Sequence, residues 1–144
     1  MKVFLDTNVL VAACVEEHEH HALALPLVEA VHQGRMEGVA SAHSLLETYA
    51  ILTRLPRSPR ITPAQAAKLV AENITRHFSV TSLSGREYDS LVTRLGEEQV
   101  MGGKAYDALH LACAAKGGAE RIYTFNIRHF ADLAGQTTIK IMAP

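Results

Sequence analysis

Short apolar runs alternate with helical patterns along this chain, and that alternation limits the folds open to it more than any other feature. Val3, Phe4 and Leu5 form an apolar run that stops at the charge of Asp6, as a buried strand does. Gly38 to Ala40, Phe78 to Leu83, Arg121 to Thr124 and Thr138 to Met142 are further strand candidates. Helices are expected from Asn8 to Val15, from Leu23 to Val31 with Gly34 ending it, and from a cap at Ser41 or Ser44 through Leu52. Thr62-Pro63 opens another helix, and Ser84 starts one that runs toward Glu98. Gly102-Gly103 breaks the chain before a helix from Tyr106 to Lys116, and a short helix follows near His129. Leu55 to Arg60, with Pro56 and Pro59, reads as a loop too short to link two domains. Strands separated by helices in this way predict an α/β fold around a central, mainly parallel sheet.

The length, 144 residues, fits one compact domain with its own core. With 48% hydrophobic and 20% charged residues the chain has the balance of a soluble globular protein. Its two cysteines, Cys14 and Cys113, lie far apart among Ala, Val and Leu, as small buried side chains in a reducing compartment do. No apolar run approaches the roughly 20 residues of a membrane span, and the first residues lack the apolar stretch of a secretion signal. A cytoplasmic protein without a membrane partner is therefore expected. The formal net charge of -1 argues against non-specific coating of nucleic acid, where neutralised phosphates supply the affinity, but leaves a nuclease with a local site open.

Three acidic residues stand next to apolar sequence. Asp6 follows the first strand, at the end where open parallel sheets bind ligands, and it is equally suited to cap the helix that starts at Thr7 or Asn8. Glu47 borders the apolar face of its helix, and its spacing from Ser44 also suits a capping box. Asp107 shares a helix face with His110, Leu111 and Ala114, and an acid there also complements a helix dipole. Taken together, three carboxylates beside a core are costly unless paired or bound to a cation. If they converge, they suit a hard divalent ion such as Mg²⁺ or Mn²⁺, which prefers oxygen ligands and supports phosphodiester cleavage.

The motifs carrying these acids resemble those of the PIN-domain family. Phe4-Leu5-Asp6-Thr7-Asn8-Val9-Leu10 is similar to the family's opening motif, and Ser44 to Tyr49 to the segment with its second acid. Tyr106-Asp107-Ala108-Leu109-His110-Leu111-Ala112 resembles the third-acid segment of VapC-type toxins, and Ile122-Tyr123-Thr124-Phe125-Asn126 through Phe130 the last motif. The likeness spans residues 1–144 in the family's order, implying a single PIN domain with an α/β/α sandwich fold. It further implies an endoribonuclease that cuts RNA through metal-activated water, leaving a 3′ hydroxyl and a 5′ phosphate. Asp6, Glu47 and Asp107 would hold Mg²⁺, with Mn²⁺ as the alternative ion, directly or through water. Thr7 and Thr124 would hydrogen-bond the carboxylates or the nucleophilic water, with Asn8 in support. The expected partners are an RNA substrate, a cognate antitoxin protein and a second copy of the chain in a homodimer. Two positions depart from the pattern: Asn126 stands where many PIN domains carry a fourth acid, and His129 where some carry Asp. Asn offers a neutral oxygen and no charge, so one firmly held ion and at most a weak second are expected.

Two other functions compete. A degenerate PIN domain that binds RNA or protein without cutting is kept alive by Asn126. An aspartate-nucleophile phosphatase would use Asp6, but such enzymes carry an acid two residues on, where this chain has Asn8. The tract Glu16-Glu17-His18-Glu19-His20-His21 has metal-ligand residue types but is expected to be a solvated loop. Arg54, Arg57 and Arg60 are likewise assigned to a solvated loop, His110 to helix packing, and Lys104 is a candidate phosphate contact. Gly102-Gly103-Lys104 lacks P-loop spacing, and neither a GxSxG elbow nor an HExxH motif is present.

Overall fold

The computed structural model describes residues 1–133, 135 and 137–144. Among these, the central sheet has five parallel strands: β1 (Lys2–Leu5), β2 (Glu37–Ser41), β3 (Phe78–Thr81), β4 (Arg121–Tyr123) and β5 (Lys140–Met142). Their order across the sheet is β3-β2-β1-β4-β5, every neighbouring pair parallel. The helices are α1 (Thr7–Cys14), α2 (His21–His32), α3 (Ala42–Arg54), α4 (Pro63–Val70), α5 (Gly85–Glu97), α6 (Lys104–Lys116) and α7 (Ile127–Ala131). A π-helical turn, Ala71–Thr75, extends α4 toward β3.

The apolar run that opens the chain becomes the centre of the sandwich because side chains alternate along a strand. Val3 and Leu5 enter the core layer with Val9 and Leu10 of α1 and Val28 of α2. Phe4 enters the other layer, with Leu91 of α5, Leu109 of α6 and Phe130 of α7. All three β1 side chains are fully buried, each worth roughly 1.5–3 kcal/mol against exposure. A third cluster, Val11, Leu52, Ile61 and Ala66, packs α4 against α1 and α3. Gly38 lets β2 lie close to its neighbours: a Cβ there would meet the Phe78 ring at 2.5 Å and Val31 at 2.7 Å.

The expected elements form, with shifted ends. Phe78 to Leu83 pairs only as far as Thr81, after which Ser84 caps α5. The helix expected from Leu23 begins at His21, and Gly34, at φ 69°, ends the turn after it. Ser41, not Ser44, caps α3: its hydroxyl accepts the Ser44 N–H at 2.9 Å. Among the described residues no helix is long and apolar enough to cross a membrane.

From β1 the strands build outward through β2 to β3, and the chain then returns to add β4 and β5 on the other side of β1. The direction of building reverses between β1 and β4, the kind of crevice where open parallel sheets bind ligands at their carboxyl ends. Asp6 leaves β1 and Thr124 leaves β4 at that point, and the Asp6 N–H still donates to the Tyr123 carbonyl at 3.0 Å.

Candidate active site

Asp6 caps its helix and also lines a cavity at the end of β1, so the two positions the sequence allowed it coincide. It is the N-cap of α1, and one carboxylate oxygen accepts the Thr7 N–H at 2.8 Å. The other oxygen accepts the Thr124 hydroxyl at 2.8 Å. The residue is 5% exposed, and burial pushes its carboxyl up from 3.8 to about 6, with smaller upward contributions from the negative charges of Asp107 and Glu47. Only the Thr124 and Thr7 hydrogen bonds act in the opposite direction, so among the described residues no side-chain cation offsets this buried charge. With both oxygens already engaged and little exposure, Asp6 is poorly placed to attack a phosphoryl group.

Glu47 cannot serve the capping box that its spacing from Ser44 suggested. Since Ser41 is the cap, Ser44 is the third helical residue and Glu47 lies nearly a turn further along. Its carboxylate instead meets His43, one turn back, at 3.1 Å, and faces the buried His110 at 4.0 Å. Asp107 sits in the first turn of α6, with the His129 imidazole 3.5 Å from its carboxylate. Its pKa is raised, first by burial and then by Glu47, against a lowering contribution from His129.

These three carboxylates line one cavity of about 510 Å³, together with Thr7, Asn8 and Asn126. Thr124 stands behind it. Its hydroxyl, besides donating to Asp6, accepts the Asn126 N–H at 3.0 Å and lies 3.4 Å from the Asn8 amide nitrogen. Asn126 occupies the N-cap of α7 without a side-chain cap bond. The Thr7 hydroxyl donates to Ser44 at 3.2 Å rather than to a carboxylate, because the first residue of α1 packs against the start of α3. That contact begins a buried chain, in which Ser44 and Ser41 hydroxyls are 2.8 Å apart and Ser41 meets His110 Nδ1 at 2.8 Å. Burial lowers the His110 pKa to about 4, so its ring is neutral at physiological pH. His110 thus packs, as expected, while also lining the site.

Other expectations change. Only the glutamates of the tract at Glu16 to His21 are well exposed: His18, His20 and His21 are half-buried, and His18, Glu19 and His20 line the same cavity. His20 stacks on Phe125 with ring centroids 4.4 Å apart, and His21 bonds the Ala12 carbonyl at 2.9 Å. Imidazoles beside aromatic and backbone partners pack, which a composition argument about polarity misses. Arg57 pairs with Glu17 at 3.1 Å beside a separate cavity of about 590 Å³ that Arg60 also lines. Lys104 pairs with Asp132 at 3.0 Å.

Among the described residues no group of three or more His, Cys, Asp or Glu side chains is gathered tightly enough to hold an ion by itself. The donor chemistry still fits one class of ion. The lining acids offer oxygen only, one of them is buried without a compensating cation, and a hard ion such as Mg²⁺ keeps several waters instead of demanding a closed protein cage.

The PIN domain family profile matches residues 3–136. The chain is similar to Ribonuclease VapC27 of Mycobacterium tuberculosis, 35% identical over 116 residues, which covers 81% of this chain and 79% of that one. It is similar to Ribonuclease VapC40 of the same species, 35% identical over 123 residues and 85% of both chains. The fold matches the crystal structure of M. tuberculosis VapC20, described as a sarcin-ricin loop cleaving toxin, with a TM-score of 0.70 and 19% identity over 95% of this chain and 98% of that one. The chain belongs to the PIN-domain family, among proteins of VapC type.

Proposed function

We propose that this protein is a metal-dependent endoribonuclease, the toxin half of a VapBC-like toxin–antitoxin pair, and that Asp6, Glu47 and Asp107 hold its ion. The observation that carries this is the convergence of three carboxylates, from the end of β1, the second turn of α3 and the first turn of α6, on one cavity at the point where the sheet reverses direction. Relatives named ribonucleases, at 35% identity over most of both chains, support the reaction class. A fold shared with a toxin that cleaves the sarcin-ricin loop agrees with it.

A hard divalent ion, Mg²⁺ or Mn²⁺, supplies an activated water and offsets the charge that builds on the phosphate during cleavage. The protein's part is to hold oxygens in place for it. The Thr7 N–H and the Thr124 hydroxyl each fix one oxygen of Asp6, a residue that lines the cavity. His43 orients Glu47 from one turn away, and His129 stands beside Asp107. The neutral Ser44–Ser41–His110 chain ties α3, β2 and α6 together beneath the site without adding a competing cation. Asn126 contributes a neutral amide where a fourth acid would favour a second ion, so we assign one firm ion. The antitoxin and a second copy of the chain are the assigned partners. Leu46, Val92 and Met101, all well exposed, supply apolar surface for such contacts.

Purified protein with end-labelled RNA tests the assignment. New fragments with 5′ phosphates in Mg²⁺ or Mn²⁺, absent when the ion is chelated, are expected. Fragments that persist in chelator contradict metal dependence. Binding without fragments favours a PIN domain that holds RNA and does not cut, the function that Asn126 keeps in play.

A further inference from the structure

An RNA strand entering this cavity meets an electrostatic problem. Its lining carries four acidic side chains, Asp6, Glu19, Glu47 and Asp107, and among the described residues neither Lys nor Arg. The whole chain, with 14 basic and 15 acidic residues, offers no general excess of positive charge. Apart from the bound ion, phosphate neutralisation, the usual source of affinity for nucleic acid, has no lysine or arginine of this lining to draw on. The other contact surface that the lining offers is its rings, among them His20, Tyr106 and Phe125.

Two stacked ring pairs stand at the cavity. His20 lies on Phe125 with centroids 4.4 Å apart and planes 20° from parallel. His43 lies on Tyr106 with centroids 5.1 Å apart and planes within 8°. Each pair joins distant parts of the chain: the first links the segment after α1 to the residue two beyond β4, the second links α3 to α6. Tyr106 is 55% exposed although its ring is braced by His43. His43 is itself held by Glu47 at 3.1 Å, and Tyr106 directly precedes Asp107, so this ring plane is tied to two of the three carboxylates. A large, oriented aromatic ring left open to solvent beside a phosphate-cleaving site has the chemistry of a base platform: stacking on a π-face needs no positive charge and accepts any base.

Resting on the ribonuclease assignment above, we propose that Tyr106 and His20 are stacking platforms for unpaired bases next to the scissile phosphate. Bases in a duplex already stack on their neighbours and present no free face, so a duplex is the control that such platforms should not hold.

The test uses the full chain with Ca²⁺ in place of Mg²⁺ and short single-stranded RNAs carrying 2-aminopurine at successive positions. Stacking on a ring quenches its fluorescence. Quenching at one or two adjacent positions is expected in the wild type. Tyr106→Ala should weaken binding about tenfold, the usual loss for one stacked base, while Tyr106→Phe keeps it. His20→Ala should lose a few-fold. In Mg²⁺ the same loss should fall on KM rather than kcat. Tyr88→Ala, on an exposed ring of α5 outside the cavity, should leave binding and cleavage alone. Wild-type-like binding and KM in Tyr106→Ala, equal losses in the Ala and Phe variants, no binding of single strands, or equal binding of a preformed duplex would each overturn the proposal. A chain that binds and quenches but never cuts rejects the ribonuclease assignment and keeps the platforms. A chain that cuts RNA regardless of Tyr106 does the reverse.

Discussion

The two ends of the β1–β2–β4 sheet handle polar groups in opposite ways. At the amino end Lys2 pairs with Glu37 at 3.6 Å and its backbone N–H donates to Glu120 at 3.0 Å, with the side chains largely in water. At the carboxyl end Asp6, Thr7, Ser41, Ser44, His110 and Thr124 are all buried, and each hydrogen-bonds another member of the set or its backbone. Solvated pairs like those at the amino end contribute little to stability, whereas a buried carboxylate without a cation opposes folding. The polar groups of the same sheet are thus nearly neutral to stability at one end and include an uncompensated buried charge at the other. A site that lowers stability in this way is expected where binding an ion or substrate provides the missing partner.

The largest consequence concerns activity. Asp107→Asn keeps the size of the side chain at the start of α6 and removes a charge from the cavity. Cleavage of labelled RNA should fall more than ~100-fold, beyond what loss of a residue that merely orients a ligand produces, with an unchanged circular dichroism spectrum. Full activity in this variant would remove Asp107 from the site.

The next effect is on stability, and it has the opposite sign to most mutations. Asp6 binds its proton more tightly folded, at about 6, than at its ordinary value of 3.8. Its cost to folding is therefore absent below that ordinary value, grows as pH rises toward about 6, and is complete above it. Asp6→Asn, which can still cap α1, should make the metal-free chain more stable at pH 7–8 by on the order of 2–3 kcal/mol. Denaturant melts from pH 4 upward should show the wild type losing stability relative to the variant. Added Mg²⁺ should raise the midpoint of the wild type alone. A variant less stable than the wild type throughout would mean that this end of the sheet is not strained by charge.

Smaller effects sharpen the contrast. Among the described residues Thr48, fully buried one turn beyond Ser44, has a hydroxyl without a hydrogen-bond partner. Thr48→Val should raise stability by about 1 kcal/mol in thermal melts, since it removes an unsatisfied group. A loss of that size would reveal a partner for the hydroxyl. At the amino end Glu37→Gln breaks the Lys2 pair and should change stability by less than ~0.5 kcal/mol.

Much of this was legible in the chain because it is local. The Val3-Phe4-Leu5 run, the charge that ends it and the caps at Thr62 and Ser84 are encoded within a few neighbouring residues, and the sandwich follows from alternation along β1. Asp6 was visible for the same reason. The cap of α3 was ambiguous between Ser41 and Ser44, and that ambiguity made a helix-end role for Glu47 credible until the structure assigned the cap to Ser41. The histidine tract was misjudged because its surroundings come from afar. His20 meets Phe125, more than a hundred residues later, and no local periodicity records that contact. The Thr7–Ser44–Ser41–His110 chain likewise crosses four elements, so its polar residues looked ordinary one at a time.

Calorimetric titration of Mn²⁺ into the wild type, Asp6→Asn and Asp107→Asn tests the central claim most directly. One ion per wild-type chain is predicted, with binding lost or severely weakened in both variants. Two equally tight ions would contradict the part assigned to Asn126, and undiminished binding in either variant would contradict a carboxylate site at the end of β1.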